Sequence, residues 1–104
     1  MQTLLVANRG EIARRVFRTC RDLGIRTVAV FSDADADLPF VREADTAVHL
    51  PGSTPSETYL RGDLVVAAAL AAGADAVHPG YGFLSESAGF AQAVLDAGLT
   101  WVGP

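Results

Sequence analysis

Short apolar runs alternate with longer amphipathic ones along the whole chain, and glycine, proline or a polar turn marks each change-over. Residues 3–7, 27–31, 46–50, 74–78 and 99–102 are the short runs. An unbroken apolar run of four or five residues suits a strand buried on both faces. Residues 11–23, 62–72 and 87–97 read as helices, and 39–44 as a short one with Pro39 in its first turn. In the first helix Ile12, Ala13, Val16, Phe17, Cys20 and Leu23 share one face at helical spacing, with Arg14, Arg18, Arg21 and Asp22 on the other. Gly24, Gly73 and Gly98 stand where helices stop. Strands and helices in strict alternation, joined by short connections, predict a parallel sheet with right-handed crossovers. The expected fold is α/β: a Rossmann-like open sheet of five parallel strands, with helices on both faces and one domain over residues 1–104.

Composition narrows the function classes. The net charge of −4 leaves no basic footprint for nucleic acid. All eight basic residues are arginine, so no lysine exists to grip a phosphate or form a Schiff base. The single cysteine excludes an internal disulfide and fits a reducing compartment. Its place on the apolar helix face predicts a buried, inert thiol. No secretory leader is visible, and the longest apolar run, residues 64–72, is too short to cross a bilayer. A cytoplasmic protein that binds no membrane is expected. The chain stops directly after its last strand, at Gly103 and Pro104, so the expectation is the first domain of a longer protein.

Most candidate sites have a plain reading. Ala7-Asn8-Arg9-Gly10-Glu11 stands where a dinucleotide fold places its phosphate loop, but it holds one glycine instead of Gly-x-Gly-x-x-Gly. Glu11 already puts a carboxylate at the positive end of the helix, where it would repel phosphate. Asp33, Asp35 and Asp37 alternate after the second strand without the glycine and distal glutamate of a calcium loop, so a solvated acidic loop is expected and no metal site. Tyr59 and Leu60 are expected to pack down the loop that precedes them. His49 reads as a strand-end residue. Ser85 is expected to cap the last helix, with Glu86 beside its positive end.

The stretch His78-Pro79-Gly80-Tyr81-Gly82-Phe83-Leu84-Ser85-Glu86 is different. It joins a strand to a helix, and in an open parallel sheet such loops lie at the carboxyl ends of strands, where ligands bind. Pro79 fixes its own φ and offers no N–H. Gly80 and Gly82 admit backbone angles closed to other residues and close approach by a ligand. Tyr81 between them is an aromatic with a polar tip. On chemistry alone two readings stay open: a ligand-facing loop, or a rigid turn that plugs Phe83 and Leu84 into the core. The role of His78 is equally open.

That nine-residue block, with Ala7-Asn8-Arg9-Gly10-Glu11-Ile12-Ala13, resembles the start of biotin carboxylase, the ATP-dependent component of biotin-dependent carboxylases. The likeness runs from Leu4 to Pro104 and looks nearest to the α-chains of bacterial acetyl- or propionyl-CoA carboxylases. It implies a pre-ATP-grasp domain, followed in the family by a mobile ATP-binding lid and a catalytic half. There, ATP and bicarbonate give carboxyphosphate, and biotin on a carrier domain is carboxylated. The family's phosphate-binding lysines, the glutamates for two Mg2+ or Mn2+ ions, and the arginines for bicarbonate and biotin would all lie beyond residue 104. No catalytic residue falls within this chain, and the isolated fragment is expected to be inactive. The resemblance places Tyr81 and Gly82 against the biotin ureido ring, with His78, Pro79, Gly80 and Glu86 supporting the loop. It places Arg18 and Asp22 at a homodimer interface, where Asp22 replaces the family's usual Glu. Implied partners are the rest of the chain, the carrier domain and a carboxyltransferase subunit. The alternatives are the same domain of a pyruvate carboxylase, or a non-catalytic α/β binding or assembly module.

Overall fold

A computed structural model describes residues 1–103. Its strands are β1 (Thr3–Val6), β2 (Arg26–Phe31), β3 (Thr46–His49), β4 (Ala76–His78) and β5 (Thr100–Trp101), and its helices α1 (Gly10–Asp22), α2 (Pro39–Glu43), α3 (Gly62–Ala71) and α4 (Ala88–Asp96). Single 3-10 turns cover Asp33–Asp35 and Pro55–Glu57. The five strands form one sheet, all pairs parallel, in the order β3-β2-β1-β4-β5. The Rossmann-like expectation therefore holds.

The apolar runs explain the layering. Along β1 alternate side chains point to opposite faces. Leu4 and Val6 join Ala13, Phe17 and Cys20 of α1 and Phe40 of α2 in one core. Leu5 joins Val65 of α3 with Phe90 and Val94 of α4 in the other. Full burial of each large aliphatic or aromatic side chain contributes about 1.5–3 kcal/mol, so a one-residue slip of β1 would exchange two filled faces at once. Cys20 is buried, and burial pushes its thiol pKa up, as an inert core cysteine requires.

Two local expectations are corrected. Leu23 does not complete the apolar face of α1; it is 68 % exposed, because the helix ends at Asp22 and Ile25 packs against that core instead. Ser87, not Ser85, caps α4: its Oγ accepts the Phe90 N–H at 3.1 Å. Ser85 is buried one turn earlier, where its N–H donates to the Gly82 carbonyl at 3.0 Å. Among the described residues no helix is long and apolar enough to cross a membrane.

The strand order positions the site. β1 has β2 on one side and β4 on the other, and Val6 stands level with both Ala29 and His78. The chain winds outward in one direction up to β3 and in the other from β4 onward. The carboxyl ends of β1 and β4 thus flank the topological switch point, the usual crevice of such sheets.

Candidate functional site at the switch point

Two connections meet there: the β1–α1 turn and the β4–α4 loop. In the loop, Gly80 and Gly82 have φ of +67° and +71°, and Phe83 follows with φ of +46°. A positive φ at phenylalanine costs about 1–2 kcal/mol, so the surroundings must hold it. Pro79 is fully buried, whereas Tyr81 is 74 % exposed. A Cβ built on Gly82 meets no atom within 4 Å. The tip of the loop is therefore open and its base is closed.

The base is closed by Asn8, which is 1 % exposed. Its Nδ2 donates to the carbonyls of Pro79 and Tyr81, both at 2.9 Å, and its Oδ1 accepts the Arg9 N–H at 2.9 Å. Sequence reasoning treats Asn8 as a turn residue only. The signal is absent from any local window, because its partners lie 71 and 73 residues away.

His78 supports the same base. Its Nδ1 accepts the Gly80 N–H at 2.9 Å, and burial holds its pKa below the ordinary imidazole range. The neutral ring therefore carries its proton on Nε2. His78, Gly80 and Tyr81 border a groove of about 440 Å³ whose other wall is Ile12, Arg15 and Val16 of α1.

A second support runs beneath the tip. Asp35 is buried, which overturns the expectation of a uniformly solvated acidic loop. The Arg9 guanidinium donates to it twice, at 2.6 and 2.8 Å, and the Tyr59 hydroxyl donates at 2.6 Å. The paired guanidinium holds the Asp35 carboxyl below the usual carboxylate range. Burial, reinforced by the Asp35 acceptor, pushes the Tyr59 hydroxyl up to about 12. That hydroxyl also accepts the Ser32 N–H at 3.1 Å, while the Tyr59 ring lies 5.5 Å from the ring of Phe83. Tyr59 does pack as expected, but Leu60 beside it is exposed. Asp33, by contrast, is exposed and pairs with His49 at the end of β3.

The remaining candidates lie elsewhere. Glu86 is exposed and borders a separate depression with Ser87 and Trp101. Arg18 and Asp22 sit on the exposed side of α1, and Arg18 pairs with Glu11 at 3.3 Å instead of with Asp22. Among the described residues no three His, Cys, Asp or Glu side chains gather as a metal site. The arrangement is a braced loop with an exposed polar aromatic and an open glycine at its tip.

Comparison with known proteins gives this loop a context. The model of the biotin carboxylase N-terminal domain matches residues 1–104. The biotin-dependent acyl-coenzyme A carboxylase alpha3 subunit of Mycobacterium leprae is 56 % identical over 101 residues, which is 97 % of this chain and 17 % of that protein. The mitochondrial methylcrotonoyl-CoA carboxylase subunit alpha of Oryza sativa is 59 % identical over 104 residues, all of this chain and 14 % of that protein. Among solved structures, the urea amidolyase of K. lactis superposes with a TM-score of 0.97 at 48 % identity, over 99 % of this chain and 6 % of that one. The chain thus spans less than a fifth of the length of each. Its sequence and its sheet agree: it belongs to the family of biotin carboxylase N-terminal domains.

Proposed function

We propose that this chain is the N-terminal domain of a longer, cytoplasmic biotin-dependent carboxylase, and that the tip of its β4–α4 loop faces the ureido ring of carrier-bound biotin. Tyr81 and Gly82 make the contact; His78, Pro79 and Gly80 hold the base, and Glu86 leads into α4. One observation carries the reading: a tyrosine 74 % exposed, beside a glycine with open space around it, on a loop whose base is fully bonded. A flat polar ring with an apolar fused ring suits an aromatic neighbour that ends in a hydroxyl.

ATP and its Mg2+ or Mn2+ ions belong to the parts of the enzyme beyond this domain. The chain has no lysine and, among the described residues, no acidic cluster to hold them, so it does not fit that task and the isolated chain is expected not to turn over ATP. In the longer enzyme they supply the energy and charge neutralisation for bicarbonate activation. The carrier domain, a carboxyltransferase subunit and a second copy meeting α1 through Arg18 and Asp22 complete the assembly. The similarity to acyl-CoA carboxylase subunits supports an acyl-CoA carboxylase.

The test is steady-state kinetics of the full-length carboxylase with free biotin. Tyr81→Ala removes one aromatic and polar contact, so the KM for biotin should rise about tenfold while the KM for ATP stays put. Because the side chain is exposed, the melting temperature should hold. An unchanged KM for biotin would take Tyr81 out of the site.

A further inference from the structure

The β1–α1 turn has lost the glycines of a phosphate loop, yet its second residue is among the most buried polar groups of the chain. An asparagine amide offers two N–H donors and one carbonyl acceptor. Asn8 directs both donors at one segment, the carbonyls of Pro79 and Tyr81, and anchors its own acceptor on the Arg9 N–H. The two carbonyls flank Gly80, and a Cβ on Gly80 would stand 2.7 Å from Asn8 Nδ2. The amide is seated in the concave side of the glycine turn. The other hydrogen bonds of the loop are local, Gly80 to His78 and Ser85 to Gly82. Among the described residues, Asn8 supplies the hydrogen bonds that tie residues 79–83 to a different part of the fold.

We propose that Asn8 is a positioning residue for the biotin-facing tip: by fixing the Tyr81 carbonyl it sets the direction in which the Tyr81 side chain and the Gly82 N–H leave the loop. This rests on the reading of Tyr81 and Gly82 given above. The peptide that carries the Tyr81 carbonyl also carries the Gly82 N–H, because the peptide unit is planar. A hydrogen bond to one end therefore orients the other. Without it the tip would turn about two glycines, the residue type whose backbone angles are least restricted. A loop held in its bound shape avoids the ordering cost of binding, so the effect appears in biotin affinity.

Asn8→Asp tests this in the full-length carboxylase. The replacement has the same shape but turns the amide nitrogen, with its two N–H donors, into a carboxylate oxygen that faces two carbonyl oxygens. The KM for biotin should rise about tenfold or more, on the loss of two hydrogen bonds, while the KM for ATP is unchanged. Hydrogen exchange should quicken at the Gly80 amide, whose bond to His78 Nδ1 closes the turn that Asn8 braces, and not in β1 or β4. Asn8→Ser, which shortens the side chain without adding charge, should show the same pattern in weaker form and serves if the aspartate variant does not fold. A normal biotin KM in either folded variant overturns the inference. So does a parallel rise in both KM values with a lowered melting temperature, which marks a purely structural role. Tyr81→Ala separates the two claims. If it alone raises the biotin KM, only the role of Asn8 fails; if it is neutral, the reading of the tip fails.

Discussion

The β1–α1 turn and the β4–α4 loop stand side by side at the same edge of the sheet, yet they dispose of their polar groups in opposite ways. The first turns inward: Asn8 is buried under the neighbouring loop and Arg9 reaches back to Asp35. The second turns outward beyond its base, with Tyr81 exposed, Phe83 at 36 % exposure and open space at Gly82. In a dinucleotide fold the first turn would meet the ligand. Here it braces the neighbouring loop, and the open tip lies one strand along, after β4. A switch point thus fixes where a site can form without fixing which connection forms it.

The two glycines of the loop give the sharpest test of that division. Both have positive φ, so alanine at either is strained by about 1 kcal/mol. At Gly80 the new Cβ would also stand 2.7 Å from Asn8 Nδ2 and 3.0 Å from Ile12 Cγ2. Gly80→Ala should therefore cost about 3 kcal/mol or more, by the combination of strain and overpacking. Gly82→Ala meets nothing within 4 Å and should cost only the strain, about 1 kcal/mol. Denaturant unfolding of the two variants measures the difference. Equal losses would erase the distinction between base and tip.

The second support is charged, so pH should reveal it. Arg9 holds the Asp35 carboxyl below the usual carboxylate range. A depressed carboxyl contributes stability that is present above its unfolded pKa and is lost as pH falls through the folded value. Asp35→Asn removes the charge and keeps the shape. It should cost about 2 kcal/mol at neutral pH, a moderate value because Arg9 is 42 % exposed and partly screened. It should also flatten the acid end of the stability curve. His78 acts earlier: its folded pKa is depressed by burial, so native stability begins to fall below about pH 6.5, where the unfolded imidazole takes up its proton. Urea unfolding from pH 7 to pH 3 separates the two. An acid limb unchanged in Asp35→Asn would show that the buried pair does not support the fold.

What the sequence could reveal of these two connections follows from distance along the chain. The strands were legible because double burial leaves an unbroken apolar run, and the Pro-Gly-Tyr-Gly pattern announces an unusual loop by residue type alone. Asn8 was not legible as a brace. Its role exists only once β4 lies beside β1, and the carbonyls it holds are 71 and 73 residues away. Asp35 departs from its expected solvation for a related reason. Three alternating aspartates look solvated, and what buries the middle one is Arg9 and Tyr59, 26 and 24 residues away on either side. The misplaced cap is a smaller error of the same loop: both serines precede the helix, and two consecutive turns, closed by Ser85 to Gly82 and Ser87 to Leu84, delay its start until Ser87.

Arg18 should give the smallest effect on the fold and so marks the limit of the braced region. It lies on the exposed side of α1, with its side chain 56 % exposed and 3.3 Å from a Glu11 that is itself 70 % exposed. Exposed pairs of this kind contribute between nothing and about 1 kcal/mol, so Arg18→Glu should shift unfolding by a few tenths of a kcal/mol. Asp22, one helical turn on, has no part in that pair, so both side chains keep polar groups available for a second molecule. If α1 meets its counterpart in a dimer of the full-length carboxylase, a reversed charge places like signs opposite one another and weakens association. Sedimentation at low protein concentration would show dissociation at concentrations where the unmodified enzyme stays dimeric, while the KM for biotin measured at high concentration stays normal. An intact dimer at low concentration would remove Arg18 and Asp22 from the interface. A raised biotin KM in a fully dimeric variant would mean that the outer face of α1 communicates with the tip, against the confinement of the brace to Asn8 and Arg9.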